Sequence, residues 1–161
     1  MKRKSITDIA WQIFHVAVIV VLDRIAKLHV LNNCQIGEIF GGIPFVADFM
    51  YVQNTGAAFS IFSNNTQILS AISVAFLVAI ILYKIVRRPQ HFMENLALAL
   101  FFAGGLGNAI DRIQYNFVVD FIDIKWFEFP VFNIADIAVV AGAIAAIVYV
   151  VFFDKEKPSK L

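Results

Sequence analysis

Four apolar stretches punctuate the chain, Ile9 to Leu22, Ile68 to Tyr83, Asn95 to Ile110 and Ile137 to Phe153, each uncharged or nearly so. Each extends to the ~20 residues that cross a bilayer as helix, so the pattern predicts spans over about 9–29, 66–86, 92–112 and 134–153. None alternates like a barrel strand, and the need to satisfy every backbone polar group in lipid leaves helix as the other spanning form. Between these spans lie longer segments over about 30–65 and 113–133 and a short basic turn at Arg87-Arg88-Pro89.

Charge sets the direction of threading. Lys2, Arg3 and Lys4 precede the first span, Lys84, Arg87 and Arg88 separate the second from the third, and Lys155, Lys157 and Lys160 follow the fourth. The positive-inside rule then puts both termini and the basic turn in the cytoplasm and the two longer loops outside, where Lys125 is the one basic residue. The basic start imitates a secretory signal peptide, but Asp23-Arg24-Ile25-Ala26-Lys27 stands where a small-residue cleavage site belongs, which reads as an uncleaved anchor. In the first outer loop, Gly37 to Phe49 reads as short strands around a Gly41-Gly42-Ile43-Pro44 turn, and Ala57 to Phe62 as a short helix on the membrane surface. The Lys155 to Leu161 tail reads as disordered. The fold class expected is therefore an all-α membrane protein of four transmembrane helices, with a little strand and a surface helix outside.

Composition agrees, and narrows the function. Of 161 residues, 60% are hydrophobic and 16% charged, against roughly 45–50% and about 25% in soluble domains. A formal net charge of +1 gives no basic surface for nucleic acid. Cys34 is the sole cysteine, so neither an intrachain disulfide nor a thiolate cluster can form. His15, His29 and His91 lack ligand spacing, and no metal or other cofactor is expected. Ala138, Gly142 and Ala146 in the fourth span, with Ala103 and Gly107 in the third, let helix backbones approach closely. Packing within one monomeric chain is the expected use, and homodimerisation the alternative.

The remaining ionisable residues gather at the outer helix ends: Asp23, Arg24, Lys27, Asp111, Arg112, Asp120 and Asp136. Charge at a bilayer boundary is costly and marks function by default. Asp23 and Lys27 are one helical turn apart and suit an ion pair. Asn108, Asp111 and Arg112 share a face at the end of the third span. Asn133 suits the N-cap of the fourth helix with Asp136 at its third position, a capping box. A cap explains a helical start, yet not why Asp120 and Asp123 approach in a short loop beside a third-helix Asn and Arg. Two neighbouring carboxylates share a proton; the ionised one can deprotonate water while the other protonates a carbonyl oxygen or leaving nitrogen. That is aspartic peptide hydrolysis.

The strings Asp23 to Lys27, Asn54-Thr55-Gly56-Ala57-Ala58-Phe59-Ser60, Gly104-Gly105-Leu106-Gly107-Asn108-Ala109-Ile110-Asp111-Arg112, Val118-Val119-Asp120-Phe121 and Phe132-Asn133-Ile134-Ala135-Asp136 together resemble the lipoprotein signal peptidases, or signal peptidase II, over nearly the whole chain. The resemblance implies one membrane-embedded peptidase domain over 1–161 in the bacterial cytoplasmic (inner) membrane, with its active site at the outer face. It implies an aspartic endopeptidase that removes signal peptides from diacylglyceryl-modified prolipoproteins, cutting just before the lipidated cysteine. Lipid-modified precursors and membrane lipids would be its partners. The catalytic pair would be Asp120 and Asp136; Asp23, Lys27, Asn54, Gly104, Asn108, Asp111, Arg112, Asn133 and Ala135 would line or support the pocket; the first outer loop would form a small β cradle with a surface helix. Within that frame Asn54 and Asn108 are expected to hold substrate backbone, Arg112 to offset carboxylate charge and Asn133 to orient Asp136, while the identity of the initial base stays open. Arg24 and Ala26 depart from the family's pattern, which expects Gln and a small hydroxyl residue there.

Two other readings compete. Ser60 with Lys27 as base would make a Ser/Lys membrane hydrolase, though no nucleophile-elbow glycines flank Ser60. A small proton-coupled transporter would use membrane acids, but those usually lie near the midplane on broken helices.

Overall fold

The computed structural model describes residues 6–56 and 65–154. The expected surface helix at Ala57 to Phe62, Ser60 within it, the flanking lysines and arginine at residues 2–4 and the tail from Lys155 lie outside the described residues. Four helices run through the rest: α1 (Ile6–Asn33), α2 (Thr66–Arg87), α3 (Phe92–Tyr115) and α4 (Ile134–Phe152). By length and apolarity α2, α3 and α4 are able to cross a membrane. The first helix spans 28 residues and carries Asp23, Arg24 and Lys27 in its second half.

The third helix is central, packing against α1, α2 and, most extensively, α4. Small residues make the α3–α4 approach possible. A Cβ on Gly142 would sit 3.2 Å from the Ala97 carbonyl oxygen and 3.1 Å from the Phe101 ring, and one on Gly104 would overlap the Ala135 carbonyl at 2.3 Å. The buried stripe of α4 runs through Ala135, Ala138, Gly142 and Ala145, a three-and-four spacing in place of the four-residue ladder through Ala146. These small residues serve contacts inside one chain.

Above the helices lies a sheet of β1 (Ile39–Ile43), β2 (Ala47–Asn54) and β3 (Val118–Ile124), in that order and antiparallel throughout. The hairpin turn falls at Ile43 to Val46, closed by the Val46 N–H on the Ile43 carbonyl at 3.0 Å, with Phe45 at φ 63°. Gly41 and Gly42 are thus strand residues, not the turn the sequence suggested; a Cβ on Gly42 would come within 2.7 Å of the Ala47 carbonyl, so glycine is needed where the two strands pass. The third strand corrects a second expectation, which left 113–133 as loop. Val118 to Phe121 are buried on both faces, and a continuous apolar run lacks the period-two signature of a half-exposed strand. Val119 and Phe121 join Val30 and Tyr51 in a core that fastens the sheet to the end of α1.

Candidate active site

Alternation along β3 settles which acids meet. With Val119 and Phe121 in the sheet's core, Asp120 points to the opposite face. Val52 lies across from Asp120, so Asn54, two residues on, shares its face and donates from Nδ2 to Asp120 Oδ2 at 2.8 Å. Asp123 falls on the other parity and pairs in register with Asp48, so it takes no part.

Asp136 arrives from α4. Asn133 caps that helix: its Oδ1 accepts from the Asp136 N–H at 2.9 Å, and Asp136 Oδ2 accepts from the Asn133 N–H at 3.2 Å, a complete capping box. The same asparagine donates from Nδ2 to Asp120 Oδ1 at 2.6 Å. One amide therefore touches both acids while it starts the helix. The capping and positioning readings of Asn133 describe two ends of one side chain.

A second asparagine completes the link. Asn108 Nδ2 donates to Asp136 Oδ1 at 2.7 Å, and its Oδ1 accepts from Asn133 Nδ2 at 3.1 Å and from Lys27 Nζ at 2.9 Å. A cation facing one end of an amide requires the oxygen there, so Lys27 fixes which end of Asn108 meets Asp136.

Lys27 is itself fully buried, 2.9 Å from Asp23 Oδ2 and 3.0 Å from Asp111 Oδ2. It thus donates to Asn108 and forms ion pairs with both carboxylates. Asp23 Oδ1 accepts from the Ala135 N–H at 2.9 Å, and Asp111 Oδ2 from the Val119 N–H at 3.2 Å. Ala135 precedes Asp136, and Val119 precedes Asp120. Asp136 and Asp120 are thereby each held through the preceding residue's backbone by a buried carboxylate. Gly104 and Gly107 make room for this: a Cβ on Gly107 would lie 2.7 Å from Asp23 Oδ2. Arg112 donates to Ser73 on α2 at 3.4 Å, and its charge acts on Asp136, Asp120 and Asp111.

Burial, with the negative charge of Asp136 added, pushes the Asp120 carboxyl up to about 7, against opposing hydrogen bonds from Asn54 and Asn133 and the charge of Lys27. At neutral pH Asp120 is poised to hold or release a proton. Among the described residues no group of three or more His, Cys, Asp or Glu side chains is arranged to hold a metal ion.

Apart from Asp123, the residues singled out from the sequence for this site lie together here. Two contributors were missed as site residues. Gly107 is one, though its place one turn from Gly104 was a readable signal. Arg24 is the other; it pairs with Asp111 across 87 residues of sequence, which no local spacing reveals.

Known proteins are similar to this chain over most of its length. A lipoprotein signal peptidase of Clostridium acetobutylicum is 38% identical over 93% of this chain and 99% of its own; one of Clostridioides difficile is 40% identical over 84% and 90%. A bacterial membrane enzyme solved by the in meso method at 2.3 Å superposes with a TM-score of 0.87 at 32% identity, covering 99% of both chains. Residues 15–152 match the family described as signal peptidase (SPase) II. With its apolar helices, its small antiparallel sheet and this sequence match, the chain belongs to the signal peptidase II family of membrane proteases.

Proposed function

We propose that this protein is an aspartic endopeptidase of the bacterial cytoplasmic membrane that removes signal peptides from diacylglyceryl-modified prolipoproteins, cleaving before the lipidated cysteine, with Asp120 and Asp136 as its catalytic pair. The observation that carries the reading is the single Asn133 side chain and backbone that contact both carboxylates. It is supported by relatives named lipoprotein signal peptidase. All four helices span the bilayer in this reading, with both termini cytoplasmic. Asp23 and Lys27 of α1 are compatible with that because they are fully buried, Lys27 against Asp111 and Asn108 of α3, and the site then lies at the outer boundary where water is available. A diacylated substrate keeps its acyl chains among the helices and its scissile bond at that boundary.

The chemistry follows from the environments of the two acids. Asp136 lies in the first turn of α4, where the helix dipole favours an anion, and each of its oxygens accepts an N–H. It is the initial base. Asp120, pushed up to about 7, carries the shared proton. Asp136 removes a proton from water as the oxygen attacks the scissile carbonyl carbon, and Asp120 gives its proton to the carbonyl oxygen. The resulting gem-diol collapses: the C–N bond breaks, the proton held by Asp136 goes to the leaving cysteine nitrogen, and a gem-diol hydroxyl returns one proton to Asp120. The products are a signal-peptide carboxyl group and a free cysteine amine. Asn54 and Asn108, each already turned toward an aspartate, hold substrate backbone beside the pair.

The test is cleavage of a lipidated precursor, followed by its mobility shift, with purified Asp120→Asn and Asp136→Asn proteins. Both variants should be inert while folded. Parent-rate processing by either rejects the assignment, and equal cleavage of an unlipidated copy removes the lipid from recognition.

A further inference from the structure

Beneath the two aspartates lies a buried charged group with more acids than shared cations. Asp23 and Asp111 are fully buried acids, and Lys27 is the fully buried cation between them. Lys27 also spends one N–H on Asn108. Two buried carboxylates thus share one ammonium, and a buried charge is costly unless its oxygens are partnered.

Arg24 brings a second cation into direct contact with Asp111, whereas the charge of Arg112 acts on Asp111 without an ion pair. Its Nη1 pairs with Asp111 Oδ1, the oxygen that neither Lys27 nor Val119 uses. The guanidinium is aimed by three further contacts: Nη2 reaches Gln114 Oε1 at 3.5 Å and the Tyr115 hydroxyl at 3.4 Å, and its carbon lies 5.9 Å from the centroid of the Tyr115 ring. Its side chain is 16% exposed, so the charge sits at the rim while its effect falls inside. With Oδ1 taken by Arg24, Asp111 keeps Oδ2 turned toward Lys27 and the Val119 N–H, and Val119 is the β3 residue next to Asp120.

We infer that Arg24 is a positioning residue for Asp120, acting through Asp111 and the Val119 backbone, and that it allows Lys27 to serve Asp136 through Asn108. Arg24 touches neither substrate nor reacting atoms. The symmetry of the site makes the inference specific. Asp23 holds Ala135 beside Asp136 by a separate hydrogen bond, with Lys27 as its partner, so loss of Arg24 should disturb the β3 side and spare the α4 side. The catalytic consequence rests on the aspartic reading above, but the structural one does not.

The experiment uses the full chain in detergent. Amide hydrogen exchange is followed at Val119 and Ala135, and kcat and KM are measured on a lipidated precursor, for Arg24→Gln and Arg24→Lys. Arg24→Gln should speed exchange at Val119 roughly tenfold with Ala135 unchanged, and lower kcat on the order of tenfold at nearly constant KM, as sub-ångström misplacement of a reacting group does. Arg24→Lys, which keeps the cation, should recover most of both. The inference is overturned by unaltered Val119 exchange in Arg24→Gln, by equal exposure of Val119 and Ala135, which would mark general unfolding, or by failure of Arg24→Lys to rescue. Should Asp120→Asn remain active, the peptidase mechanism falls, while the exchange result still decides the role of Arg24.

Discussion

The two halves of α3 solve different problems with one helix. From Phe92 to Ala103 it meets its neighbours through Ala97, Ala99 and Ala103, with Gly142 of α4 resting on Ala97, Leu100 and Phe101 and Phe76 of α2 set edge-on to Phe101 at 6.0 Å. From Gly104 to Tyr115 it presents Asn108 and Asp111 to α1, α4 and β3. Lipid gives no hydrophobic drive for helix association, so the first half relies on close van der Waals packing. The second half relies on buried charges, which hold only while each has its partner. Adhesion and chemistry are thus separated along one axis, and the separation is open to attack by substitution.

The largest expected effect is on the chemistry alone. Asp136→Asn and Asp120→Asn should each lower turnover by roughly a thousandfold or more, since each removes a proton-transfer group worth about 10²–10⁴, while thermal unfolding in detergent stays near that of the parent. A large stability loss in either would mean that the pair is structural. Next, Lys27→Met strands Asp23 in the interior and leaves Asp111 to Arg24, and should destabilise the chain by about 3–5 kcal/mol, read as a drop in unfolding temperature, with cleavage lost as well.

A matched pair of glycine changes probes the contrast directly. Gly142→Val overpacks the first half and should cost about 1–3 kcal/mol while folded protein keeps its turnover. Gly104→Val drives into the Ala135 carbonyl next to Asp136 and should cost a similar amount together with about a hundredfold in kcat. Equal kinetic damage from both would erase the distinction between the halves.

The smallest effect is a shift in pH response. With Asp120 at about 7, the form carrying one proton on Asp120 and none on Asp136 is lost as pH rises through that value, so the rate should fall on the alkaline side with a midpoint near 7. The folded value lies above the usual one of 3.8; the proton is held more tightly when folded, so the stability it contributes is full below about 4 and is lost as pH rises toward 7. Asn54→Ala removes a hydrogen bond that favours the ionised form and should move the alkaline midpoint upward. A midpoint unmoved or lowered would deny Asn54 that role.

Much of this was legible in the chain. The apolar runs gave the helices to within a few residues except at α1, which continues to Asn33, and the spacing of Asn133 and Asp136 gave the capping box. The i, i+4 relation of Asp23 and Lys27 gave their ion pair. What escaped was long-range. The strand β3 was hidden because its buried run lacks alternation, and the turn was misplaced because Gly42 answers to a close approach of Ala47, not to a bend. Asp123 resembled a site residue in sequence, and only the parity of β3 excludes it.

Asn133 ties the winding of the first turn of α4 to the meeting of the two acids. While that turn is frayed, as during insertion of a nascent chain, Asp136 has neither its cap nor its bridge to Asp120. With Asp120 and Asp136 as the proposed catalytic pair, a protease assembled this way would be silent until it has finished folding, and the membrane that receives it would need no separate inhibitor to guard against a half-built enzyme.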